Sequence, residues 1–140
     1  MKKKNDDLSH EEWKNKYLRA LADYQNLEKR TRDEISEIRK FASEVVLARL
    51  LPVIDTLKKA KDHIKDPGLD IIYKEILAIM EEQGVEKIAV TGHQFDPHEM
   101  ECVEVVDGEE NLVVEEVLSG YRFRGKILRV AQVKVGKKTN

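Results

Sequence analysis

The side chains best suited to act as nucleophile, base or metal ligand here are four histidines and one cysteine, and their placement argues against all three roles. His10, His63, His93 and His98 are scattered along the chain. His93 and His98 flank Phe95-Asp96-Pro97, and with Asp96 and Glu99 they could be drawn as a zinc site. Their spacing matches no zinc motif, so the simpler reading is a polar turn. Cys102 opens the alternating stretch Cys102-Val103-Glu104-Val105-Val106, where a small buried residue is expected rather than a nucleophile. A lone cysteine forms no intrachain disulfide and fits a reducing compartment. The acidic residues include no isolated pair suited to general acid and base work. Gly120 and Gly125 bracket Tyr121-Arg122-Phe123-Arg124 without the strand-to-helix setting that a phosphate loop needs. The expectation is therefore no catalytic residue, no metal and no cofactor.

Binding chemistry is easier to find. Arg122, Arg124, Lys126 and Arg129 interleave with Tyr121 and Phe123, a pattern that RNA-binding surfaces use. The surroundings oppose that use. The whole chain carries 25 basic and 27 acidic residues, a formal charge of −2. Residues 101–140 are themselves balanced, so no net field draws in a polyanion. A small basic patch also suits an acidic protein surface, and that reading is preferred. An RNA-binding or purely scaffolding dimer is the alternative.

These residues must be positioned by a chain of 140 residues that is 37% charged, 41% hydrophobic and only 6% aromatic. That is about one domain's length with thin apolar content. Residues 1–8 are polar and expected to be a disordered tail, with no secretory signal. No apolar run is long enough to cross a membrane, and a cytoplasmic location is expected. Residues 9–49 contain neither Gly nor Pro and open on Ser9 with Glu12 three positions later, a capping box. A helix of about 40 residues would be roughly 60 Å long and needs a partner. Tyr17, Leu21, Tyr24, Leu27, Ile35, Ile38 and Val45 mark its apolar stripe. A heptad reading fails at Glu28 and Thr31; an eleven-residue reading groups Tyr24 with Ile35 and Leu27 with Ile38. That period gives a weakly coiled pair rather than a tight zipper.

At Pro52 a kink or the start of a new helix is expected. Residues 50–84 then read as short bundle helices. Val53, Ile54, Leu57, Ala60 and Ile64 form one stripe; Leu69, Ile72, Tyr73, Ile76, Ile79 and Met80 form another. Asp66-Pro67-Gly68 separates them and Gly84 ends the second. Two such helices enclose little core, whereas four from two chains make a bundle. Leu57, Ile72 and Ile76 join the stripe above as dimerisation residues, giving a parallel homodimer. From Val85 the period falls to two. Residues 102–106, 112–118 and 127–135 read as strands of a small all-β domain over 85–136, followed by a polar tail at 137–140. The fold class is α+β.

The C-terminal residues Phe95-Asp-Pro-His-Glu-Met-Glu-Cys-Val103, Gly120-Tyr121 and Gly125-Lys-Ile-Leu-Arg-Val-Ala-Gln-Val133 resemble the signature of the GrpE family. Ala22-Asp-Tyr-Gln-Asn-Leu-Glu-Lys-Arg-Thr31, Leu50-Leu-Pro-Val-Ile-Asp-Thr-Leu57 and Gly84-Val-Glu-Lys-Ile88 are similar to its helical segments and junction, in the same order. The departures are Met100-Glu101-Cys102 where the family commonly has His-Glu-Ala, and Lys126 where it often has Arg. The lysine keeps the charge and loses the planar fork. The resemblance implies a nucleotide exchange factor for DnaK-type heat-shock chaperones. One dimer would hold one chaperone ATPase domain, with a β domain wedging the cleft open so that ADP leaves. It further implies a heat-sensitive helical part. Carried over by position, Pro97, Gly120, Tyr121, Lys126, Arg129 and Val135 would form the chaperone-binding surface. Arg129, between buried strand neighbours, could instead anchor the β domain internally.

Overall fold

The computed structural model describes residues 9–139. The expected tail at 1–8 lies outside the described residues. Two helices are followed by six short strands: α1 (His10–Ile64), α2 (Pro67–Glu82), β1 (Val85–Lys87), β2 (Met100–Asp107), β3 (Val113–Leu118), β4 (Tyr121–Phe123), β5 (Lys126–Arg129) and β6 (Ala131–Lys137). The chain divides after Ala42 into two compact units.

In the first unit the capping box closes as expected. The Ser9 amide donates to Glu12 Oε2 at 2.8 Å, and the Glu12 amide donates to Ser9 Oγ at 3.3 Å. Exposed ion pairs along the helix, such as Arg32 with Glu28 at 3.4 Å, add a few tenths of a kcal/mol each. Trp13, Tyr17, Leu21, Tyr24, Leu27, Ile35, Ile38 and Phe41 all remain exposed.

Of the two expectations at Pro52, the start of a new helix is not met: α1 runs through the proline for 55 residues in total. Packing explains the continuity. Leu47, Leu51 and Ile54 straddle the proline at helical spacing and all are buried. Their burial outweighs the backbone bond that proline removes. One short helix, not two, therefore comes next. Asp66 caps it, its carboxylate accepting from the Gly68 amide at 2.6 Å, with Pro67 in the first turn.

The six strands form two three-stranded sheets, ordered β1-β4-β5 and β2-β6-β3. β1 with β4, β4 with β5 and β3 with β6 are antiparallel; β2 with β6 is parallel. The stretch read as one strand over 127–135 is two strands in different sheets, broken at Val130. Two small cores result. The first joins Leu47, Leu51, Ile54, Met80, Val85, Tyr121 and Phe123, with Tyr73, Ile76, Leu77 and Leu128 packed against it. The second joins Ile88, Val90, Met100, Val113, Ala131, Val133 and Val135, with Phe95 and Ile127 against it. Adjacent Ile127 and Leu128 thus serve different cores.

Cys102 is exposed, which corrects the expectation of a buried site. β2 is an edge strand, and its register with β6 shifts between Cys102 and Glu104. From Glu101 to Val105 this edge strand is exposed on both faces, and Cys102 with it. The expected polar tail is also partly ordered. β6 includes Lys137, and Thr139 Oγ1 donates to Asp107 Oδ1 at 2.6 Å. That hydroxyl, with the Thr139 and Gly108 backbone, holds the Asp107 carboxyl below its usual range. Among the described residues no helix is long and apolar enough to cross a membrane.

Candidate functional site

The carried-over residues divide by burial. Lys126 and Pro97 are exposed. Lys126 owes its position to a tight hairpin. Phe123 pairs with Lys126 across β4 and β5, leaving Arg124 and Gly125 as a two-residue loop. Their φ values of 48° and 82° are both positive, as a type I′ turn requires, and glycine takes such a value without strain. The Lys126 side chain emerges directly behind this turn, 72% exposed, with Nζ 3.1 Å from Glu44 Oε1 of α1.

Gly120, Tyr121 and Val135 are buried and offer a partner little surface as the chain stands. A Cβ on Gly120 would lie 2.5 Å from the Ala131 backbone nitrogen, so this glycine permits the crossing between the two sheets. The Gly120 carbonyl also accepts from the Ile88 amide at 2.9 Å. Tyr121 is only 2% exposed. Burial, then the nearby Tyr73 and Asp55, push its phenol up to about 12. Val135 belongs to the second core.

Arg129 is held within its own chain. Its guanidinium forms a two-pronged pair with Asp55 of α1, Nη2 to Oδ1 at 2.8 Å. Its Nε and Nη2 also donate to the Ser119 carbonyl at 3.0 and 2.6 Å, and the group lies 5.6 Å from the Tyr121 ring centre. Both partners are mostly buried, so this pair is far less screened than a surface one. It fixes β5 and the Ser119 turn to α1. Sequence reasoning did not find Asp55, although its position one residue after buried Ile54 is where a helix could present such an acceptor.

The basic and aromatic cluster is largely neutralised within the chain. Arg122 pairs with Glu99, which with the nearby charges of Glu86 and Asp96 holds the guanidinium more firmly protonated. Arg124 lies 5.1 Å from the Phe123 ring centre. Lys134 bridges Glu115 and Glu104 at 3.1 and 3.5 Å. A polyanion would have to displace these carboxylates, which disfavours RNA. His93 turns onto its own loop, and His98 is exposed. His93 Nδ1 lies 3.2 Å from the Thr91 carbonyl, and the His98 amide donates to Asp96 Oδ1 at 2.9 Å. Among the described residues no three His, Cys, Asp or Glu side chains gather where a metal ion could sit.

The expected dimerisation residues also divide. Tyr17, Leu21, Tyr24, Leu27, Ile35, Ile38, Val45 and Ile72 are exposed. Leu57 is half-buried, and Ile76 packs on the first core of its own chain.

A family model described as GrpE matches residues 1–137. The chain belongs to the GrpE family. Protein GrpE of Brevibacillus choshinensis is 35% identical over 136 residues, covering 89% of this chain and 76% of that protein. Protein GrpE of Carboxydothermus hydrogenoformans is 41% identical over 131 residues, covering 87% of this chain and 68% of that protein. For Protein GrpE of Parageobacillus thermoglucosidasius the identity is 36% over 135 residues, with 89% and 60% covered. The chain thus spans 60% to 76% of the length of these three GrpE relatives.

Proposed function

We propose that this chain is a homodimeric co-chaperone of the cytoplasm, a nucleotide exchange factor that opens the ATPase domain of a DnaK-type chaperone and speeds ADP release. ATP then rebinds and the chaperone lets go of its substrate. The family match over residues 1–137 is the observation that carries this reading. The mechanism is linkage. A dimer that binds the open ATPase domain better than the closed one shifts the population toward open, and ADP affinity falls by the same factor. The chain itself makes and breaks no bond.

Two structural features support the assembly. The exposed apolar stripe from Tyr17 to Ile38 suits a second copy of the same helix, which would cover it in a weakly coiled parallel pair. Exposed Ile72 and half-buried Leu57 extend an apolar face into a bundle with the partner's helices. In the β domain, Lys126 and Pro97 are the carried-over residues best exposed for docking against an acidic and apolar chaperone surface. Arg129, Tyr121, Gly120 and Val135 support that surface from beneath.

The test mixes the protein with a DnaK-type chaperone loaded with a fluorescent ADP analogue, and separately with structured RNA. Faster analogue release without RNA binding is the expected result. RNA binding without faster release would favour the alternative of a scaffold presenting a basic β domain. Lys126→Glu should weaken chaperone binding while circular dichroism stays unchanged.

A further inference from the structure

The Lys126 ammonium already has a partner within its own chain. Glu44 reaches it with both carboxylate oxygens, Oε1 at 3.1 Å and Oε2 at 3.5 Å. The two residues are exposed to different degrees: the Lys126 side chain is 72% exposed and that of Glu44 only 27%. The carboxylate is therefore the better-held member, seated on α1 three residues before buried Leu47. The ammonium lies at the end of a flexible stem that can turn outward.

We infer that Glu44 tunes docking by competing with the partner's acidic groups for Lys126. This inference rests on the reading of Lys126 as a chaperone contact. An ammonium has three donors, so a second carboxylate could share it. It would then approach the Glu44 carboxylate closely, and like charges brought together oppose binding. Docking thus requires Lys126 to swing off Glu44 or the partner to tolerate the repulsion. Either way Glu44 holds affinity below what Lys126 alone would give. A lysine suits such an exchange better than arginine, whose planar fork would lock onto the carboxylate.

Glu44→Gln keeps the side chain's size and removes its charge. Titrated against the nucleotide-free ATPase domain, the full-length variant should bind about two- to fivefold tighter, the range set by exposed ion pairs. The gain should shrink as salt is raised. In a Lys126→Met background the same substitution should give no gain. Unchanged or weaker binding by Glu44→Gln would overturn the inference. So would an equal gain in both backgrounds, which would make Glu44 a remote charge instead of a competitor. If Lys126→Met itself leaves affinity unchanged, the docking role of Lys126 falls first. If Lys126→Met weakens binding and Glu44→Gln does not tighten it, only the competition falls.

Discussion

Two stretches of α1 carry apolar side chains at the same helical spacing and put them to opposite use. From Tyr17 to Ile38 every large apolar side chain is exposed, whereas Leu47, Leu51 and Ile54 are buried under α2 and the β1-β4-β5 sheet. Periodicity alone does not separate these cases. It says that a face is apolar, not whether the cover comes from the same chain. The distinction lies further along the chain: the later stretch belongs to the unit from Ser43 onward, whose α2 and sheet fold back on it. The stability of the earlier stretch should accordingly depend more strongly on protein concentration than that of the later stretch.

The sole tryptophan and a buried tyrosine allow the two regions to be followed separately. Trp13 lies one turn ahead of the earlier stretch on the same helix, and Tyr121 in the first core. The largest expected effect comes from Leu51→Ala. Leu51 is 1% exposed, and its truncation should destabilise the region around Tyr121 by about 2–5 kcal/mol. Near-ultraviolet circular dichroism during urea unfolding reads that loss. Trp13 fluorescence should unfold at its original midpoint; if both signals shift together, the two regions are one cooperative unit.

The converse substitution attacks the exposed stripe. Leu27→Asp with Ile38→Asp would place carboxylates in the proposed seam, at a cost of several kcal/mol to association. Sedimentation equilibrium should change from twice the chain mass to the chain mass, while the Tyr121 signal survives. An unaltered dimer would show that the stripe is not the seam. This pair is a cleaner test than Ile72 with Ile76, because Ile76 also packs within its own chain.

A smaller effect comes from pH. The Tyr121 phenol is raised in the folded protein to about 12 from an ordinary value of 10.0. Its stabilising contribution is therefore complete below about 10 and is lost as pH climbs through about 12, since the unfolded chain releases the proton first. Tyr121→Phe should flatten the decline in stability over this window relative to the parent protein. Identical slopes by urea unfolding would mean that the phenol is solvated in solution.

Local chemistry made several boundaries legible. The Ser9 and Glu12 box, the Asp66-Pro67 start and the Gly84 stop each satisfy helix-end groups through neighbours in sequence, so they can be read without the fold. The alternating runs that became β2, β3 and the central part of β6 were equally plain. What escaped depends on distant residues. Pro52 is carried inside a helix by a core assembled from α2 and the sheet. β4 is three residues long, too short for a period to emerge. The break at Val130 exists because two sheets share one run of sequence. At the candidate site, the exposure of Lys126 was legible from its type and flanking glycine, while its docking role came only from the resemblance. The buried state of Gly120, Tyr121 and Val135, and the Glu44 and Asp55 partners, were not, since each depends on a contact with α1 or a neighbouring strand.

The order of the β2-β6-β3 sheet has a consequence for how the protein comes off the ribosome. The middle strand of that sheet is the last of the six to be synthesised. Until Ala131–Lys137 emerges, β2 and β3 have no strand to pair with in this sheet, and their valines stay open to other chains. Formation of this sheet thus waits for the last-made of its three strands, which closes both ladders at once. A nascent chain stalled or clipped just before Ala131 would lose this sheet entirely, while β1, β4 and β5 would still have all their pairing partners.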